Sequence, residues 1–227
     1  MNPQSNGPNV LGFRQRALGA LALIALAIVV VACGARPAAP KRTYLLDPAA
    51  PPAAATAKPL AVRVGVVNVA APFRNKSFVY RESDLKFESD FYDEFFIAPT
   101  AMLSEATARA LASAKVFRRV IAPSAAASDD SDYALDGFVT ELYGDAREGP
   151  KMVAVLTITF YLSSSITAVP NVLWSREYRQ RVAATDPGPE ALARAWNTAL
   201  SSILADLVRD LATVELPLAE QRPQSVR

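Results

Sequence analysis

The chain has 227 residues, 51% of them hydrophobic and 20% charged, which suits one folded domain with flanking segments and is too apolar for a disordered protein. It holds no histidine and one cysteine, which excludes histidine acid–base chemistry, Ser-His-Asp and Cys-His nucleophiles, His-containing metal sites, intramolecular disulfides and thiolate zinc clusters. The net charge of +2 comes from Arg14 and Arg16; the remainder is balanced and has no basic block to neutralise a run of phosphates, so nucleic acid is not an expected partner.

Arg14 and Arg16 precede an uncharged apolar run, Ala17 to Ala32. As a helix it would span only about 24 Å, short of a hydrocarbon core of about 30 Å. A positive segment before a short apolar one is the design of a secretory signal, here residues 1–32. The run ends Val30-Val31-Ala32-Cys33-Gly34, which resembles a bacterial lipobox, with a small residue just before the cysteine and an aliphatic one three before it. In such signals the chain is cut before the cysteine, whose thiol takes a diacylglycerol and whose new amine takes an N-acyl chain. Cys33 is therefore the expected lipid-attachment residue. Each buried methylene contributes about 0.8 kcal/mol, so several acyl chains make anchoring effectively permanent. The next residue is Gly34 rather than the aspartate that marks inner-membrane retention in proteobacterial lipoproteins, which reads as sorting to the outer membrane.

Residues 33–59 are rich in Ala and Pro without periodicity and read as a semi-extended tether. Their one apolar island, Thr43-Tyr44-Leu45-Leu46-Asp47-Pro48, is either an accidental patch or an edge strand docked on the domain. The folded domain is predicted over 60–214, with a polar tail over 215–227. Leu60 to Val69, rich in valine, reads as a buried strand. Phe78 to Tyr80 and Leu85 to Phe87 read as a short hairpin around Glu82-Ser83-Asp84. Pro99 opens a helix to Ala114 with Met102, Leu103, Ala106, Ala110, Leu111 and Ala114 as its apolar stripe. Phe117 to Ile121 is a strand stopped by Pro123. After a polar loop, Tyr133 to Tyr143, Met152 to Leu162 and Val172 to Val182 read as antiparallel strands, the last with Val172, Trp174, Tyr178 and Val182 inward. A long helix from Gly188 to Leu211 closes the domain, its apolar residues recurring at three- and four-residue steps. The crossover through the first helix implies one parallel pair. The fold class is thus α/β, a single domain with a mixed, largely antiparallel sheet packed by two amphipathic helices.

Catalytic motifs are missing: no Walker loop, Gly-x-Gly-x-x-Gly, Gly-x-Ser-x-Gly or EF-hand pattern occurs, and only six glycines remain after residue 32. No catalytic residue, metal site or soluble cofactor is expected. Asp90, Asp93 and Glu94 could serve acid–base work or hold a hard cation, but a solvated face explains them better. Ser163-Ser164-Ser165 lacks an activating base and reads as a loop. Phe91, Tyr92, Phe95 and Phe96 fall within six residues; most such aromatics are core, but strict alternation cannot bury all four, so one or two of them are expected to be exposed as the candidate contact for a partner or for lipid.

The order of these pieces resembles the ABC-type transport auxiliary lipoprotein family. Lipobox, tether with Tyr44-Leu45-Leu46-Asp47-Pro48, valine-rich first strand, Val79-Tyr80-Arg81, aromatic segment, Pro99 helix, Phe117-Arg118-Arg119-Val120, Tyr133-Ala134-Leu135 and closing helix follow one another over residues 33 to 214. Where the family often has a tryptophan before the first helix, this chain has Phe95-Phe96. The resemblance implies a periplasm-facing, outer-membrane lipoprotein with an α/β sandwich, ring-like homo-oligomers, and partners that are a mammalian-cell-entry (MCE) domain protein and an ABC transporter moving lipid between two membranes. The expected function is a non-catalytic docking subunit; the alternatives are a stand-alone lipid carrier with an acyl chain between sheet and helix, and an envelope enzyme resting on Asp90, Asp93 and Glu94.

Overall fold

The computed structural model describes residues 40–125, 131–147, 149–165 and 171–217; the signal, Cys33 and Gly34 lie outside the described residues. Strands β1 (Arg42–Tyr44), β2 (Lys58–Val69), β3 (Ser77–Arg81) and β4 (Phe87–Phe95) precede helix α1 (Pro99–Ala114). Then follow β5 (Phe117–Ile121), β6 (Tyr133–Asp145), β7 (Val153–Ser164), β8 (Asn171–Ala183) and α2 (Pro189–Thr213). All eight strands join one mixed sheet, whose longest ladders are the antiparallel ones of β6 with β7 and β7 with β8. The two-helix α/β architecture expected from periodicity is the observed one, but the one parallel pair expected is corrected: among the described residues β1–β4, β2–β5, β2–β6 and β3–β6 all pair in parallel, and it is the longer ladders that are antiparallel.

The sheet forks at β6. One edge of that strand pairs along its length with β7, while the other is shared, Val62–Val69 of β2 lying beside its first half and Tyr80–Arg81 of β3 beside its end. A one-turn 3-10 helix, Ala71–Phe73, makes the switch possible by lifting the chain off β2 and returning it to the sheet as β3. Beyond β2 lies β5, paired in parallel through the α1 crossover; beyond β3 lie β4 and β1.

Both helices cover one face. α1 packs on β2 and β5, α2 on β7 and β8, and the two touch. Leu192, Trp196, Leu200, Ile203, Leu204, Leu207 and Leu211 of α2 have no exposed surface, nor have Ile158, Phe160 and Leu162 of β7 beneath them. The register of β2 shifts between Val64 and Val67. Ser104 of α1 repairs the ladder there: its Oγ accepts the Val67 N–H at 2.8 Å and donates to the Thr100 carbonyl at 2.6 Å. Gly65 at the same shift leaves room for the Asp136 side chain, whose Oδ1 would stand 2.0 Å from a Cβ there and would have to swing away.

The expected domain boundary at residue 60 is corrected to Lys41. The compact unit starts there, and residues 41–59 are a strap bound to the domain rather than a free tether. β1 pairs in parallel with β4, Leu46 is buried, and the strap then crosses α2, where Ala49 N–H donates to Ser201 Oγ at 3.0 Å. It ends with Ala54 and Lys58 donating to the carbonyls of Ala114 and Val116 at 2.7 and 2.8 Å. Prolines 48, 51 and 52 pre-extend the segment, which lowers the entropy lost on docking. Two smaller corrections belong to β7 and β8. Ser163 and Ser164 end a strand instead of forming a loop, and a register shift after Leu162 turns Val172 outward to 52% exposure.

Candidate functional site

The β1–β4 margin gathers most of the residues that composition had singled out. Between β3 and β4 the pairing jumps from Ser77↔Glu94 to Val79↔Ser89, so residues 90–93 bulge from the ladder. Asp90 shapes the bulge: its Oδ1 accepts the amides of Tyr92 and Asp93 at 2.7 and 2.9 Å, and its Oδ2 accepts the Tyr80 hydroxyl at 2.8 Å. Burial opposes ionisation of Asp90, yet these donors together outweigh it and hold the carboxyl below the ordinary range. Burial, reinforced by Asp90, pushes the Tyr80 hydroxyl far above its usual value, so it stays a donor.

The other two carboxylates hold the strap. Arg42 Nη2 meets Asp93 Oδ2 at 2.6 Å, the Asp93 side chain being 4% exposed. Glu94 accepts from Lys41 at 2.9 Å and has Lys76 at 3.8 Å; the Lys41 contact leads in holding it below its usual pKa. Asp90, Asp93 and Glu94 thus bind a bulge and a strand edge, although Asp93 Oδ1 is buried without a hydrogen-bond partner among the described residues. No cluster that could hold a metal ion occurs among the described residues. Ser165 meets Ser131 Oγ at 3.3 Å, and its amide donates to the Asp132 carbonyl at 3.0 Å, which is a loop closure.

The four aromatics separate. Phe95 is 2% exposed and stacks at 4.8 Å on Phe78 and 5.5 Å on Trp196, so it is core and cannot meet a partner. Phe91, Tyr92 and Phe96 are outside, at 71%, 45% and 59% exposure. The bulge breaks alternation and makes this possible, extruding Phe91 and Tyr92 together in an edge-to-face contact at 5.1 Å. Leu45, missed at the sequence level, joins them at 56% exposure. Its signal was the alternation of Arg42, Tyr44 and Leu46 toward the domain, which leaves Lys41, Thr43 and Leu45 facing out.

Among the described residues, the side chains facing one another between sheet and helices are buried. Grooves of about 190, 270 and 330 Å³ lie elsewhere, along the strap and at the outer margin of α1. The 330 Å³ groove, between the strap and α2, is lined by Tyr44 and Leu45 together with Glu190, Arg194 and Asn197, a mixed surface unlike an acyl-chain tunnel. Among the described residues no helix is long and apolar enough to cross a membrane.

With this geometry in place, the comparisons with known proteins are specific. The profile of the family described as ABC-type transport auxiliary lipoprotein component matches residues 44–208. No curated protein matches the chain. Among solved structures it is similar to the protein XCC0632 from Xanthomonas campestris, with a TM-score of 0.65 and 18% identity over 74% of this chain and 92% of that one. It is also similar to an uncharacterized protein, with a TM-score of 0.60 and 16% identity over 76% of this chain and 99% of that one. The structures share the fold, and the profile spans most of the chain, which therefore belongs to the ABC-type transport auxiliary lipoprotein family.

Proposed function

We propose that this family member is a non-catalytic docking subunit of a lipid transport system, fixed in the outer membrane by a diacylglycerol and an N-acyl chain on Cys33. In this reading Gly34 permits outer-membrane sorting and the domain faces the periplasm. There it meets an MCE-domain protein that works with an ABC transporter to move lipid between the membranes. The family match over residues 44–208 carries the reading. Two features of the domain favour docking over the alternatives. Among the described residues the sheet–helix interface is lined by buried side chains, which speaks against a stand-alone carrier. Each carboxylate of the β1–β4 margin makes at least one structural contact, Asp93 through Oδ2 alone, which speaks against an envelope enzyme.

The test is affinity purification of the processed chain from crosslinked native envelopes, with mass spectrometry of what it retains. Enrichment of an MCE-domain protein is the expected result. Phospholipid alone, without a transporter component, would replace the docking reading with the carrier.

A further inference from the structure

The outward side of the β1–β4 margin is an apolar surface with a basic fringe. Phe91 and Tyr92 stand on the bulge, and the ladder is carried one step past β1 by the Phe96 N–H bond to the Tyr44 carbonyl at 2.8 Å, toward Leu45. Lys41 lies over the Phe91 ring at 5.7 Å. Glu94 is contacted by both Lys41 and Lys76, which set two ammonium groups against that carboxylate, while Asp47 and Glu190 line the groove beside Leu45.

Chain length says what can cover this surface. Eight residue steps separate Cys33 from Lys41, no more than about 29 Å of extended chain. Lys41 is itself part of the surface. Since the strap is bound to the domain from Lys41 onward, residues beyond it add nothing to that reach. An acylated Cys33 therefore keeps Lys41 at this margin within about 29 Å of its anchor, whereas β8 stands five strand spacings away along the sheet through β4, β3, β6 and β7, a path of roughly 24 Å. Tyr and Phe beside lysine suit the headgroup level, where rings bury their faces and ammonium groups reach anionic phosphates. Anchoring also supplies a high effective concentration, so a weak surface contact is enough to seat the domain.

We infer that Phe91, Tyr92, Phe96 and Leu45 form a second membrane contact, resting on the bilayer surface that holds the Cys33 anchor and fixing the orientation of the domain. The inference rests on the anchor reading of Cys33. It places the strap on the membrane side and leaves the β8 margin directed away from that membrane.

The test uses the full processed chain with Phe91→Trp or Phe96→Trp, reconstituted in vesicles of phosphatidylethanolamine and phosphatidylglycerol in equal parts with brominated acyl chains. The wild type, with Trp174 and the buried Trp196, is the baseline. Both positions are exposed, so neither substitution disturbs the core. Each variant is expected to gain a blue-shifted emission that brominated lipid largely quenches, while the baseline changes little. Unquenched emission at both positions overturns the membrane contact, and a photo-crosslinker at position 91 that captures a protein in native envelopes would then assign the surface to that protein. The intact mass of the same sample tests the anchor separately: an unacylated Cys33 overturns the anchor reading whatever the fluorescence does.

Discussion

At one margin of the forked sheet a three-residue strand, β1, lies beside an aromatic bulge; at another a thirteen-residue strand, β8, presents a row of charges. Each margin discourages strand addition by different means, β1 by its length and β8 by Arg176, Glu177, Arg179 and Arg181. They are also held differently. The β1 margin hangs on a ring stack, Tyr44 on Phe78 at 5.2 Å and Phe78 on Trp196 at 4.9 Å, sealed by Arg42 and Asp93. The β8 margin is held by charge: Arg179 reaches Glu141 at 2.8 Å, Arg181 reaches Asp145 at 3.2 Å, and Arg176 and Tyr178 reach Asp210 of α2 at 3.0 and 2.6 Å. Salt and acid should therefore loosen β8, and loss of ring volume should loosen β1.

The largest effect is expected at the ring stack. Trp196→Ala removes a fully buried indole that touches both Phe78 and Phe95, and is expected to cost about 3–5 kcal/mol in urea unfolding, with loss of near-UV circular dichroism. Next comes Asp145, whose fully buried carboxylate accepts from Arg147 Nε and Nη2, both at 2.9 Å. Arg147 leads in holding this carboxyl far below its usual range. Asp145→Asn should cost about 2 kcal/mol at neutral pH, less than a fully enclosed pair because both arginines reach solvent. The folded-state pKa is lowered, so this stabilisation is complete above about pH 5, well above the unfolded aspartate pKa, and is lost progressively as the pH falls toward the folded one. Urea midpoints of wild type and Asp145→Asn are accordingly expected to converge on acidification.

Smaller changes sharpen the contrast. Tyr178→Phe removes the hydroxyl that ties β8 to Asp210 and should cost about 1 kcal/mol, leaving the β1 stack unchanged. At neither margin, Lys115 ends α1 with φ of 54°, a left-handed conformation that glycine adopts freely. Lys115→Gly is expected to stabilise by roughly 0.5–1 kcal/mol and serves as the neutral reference.

Where periodicity is undisturbed, the elements could be read from residues alone. α1 and β5 have the expected limits, and β7 places Ala154, Leu156, Ile158, Phe160 and Leu162 under α2 as alternation requires. What stayed hidden lacks a period. The strap buries Leu46 and Pro51 amid Ala and Pro, with its bonds made to residues more than fifty positions away. The β4 bulge depends on Asp90 turning its own backbone, so hydrophobicity could not say which of the four aromatics is core. That three of them would be exposed, with Leu45 beside them, needed the register of β1 on β4.

The central claim, that the domain works only as an anchored docking subunit, is tested most directly by replacing the gene with one encoding Cys33→Ala. Exchange of isotope-labelled phospholipid between the two membranes would be followed at matched protein levels. The account expects exchange to fall to the level of a deletion strain although the domain folds normally. Exchange equal to wild type from the unacylated protein would contradict it.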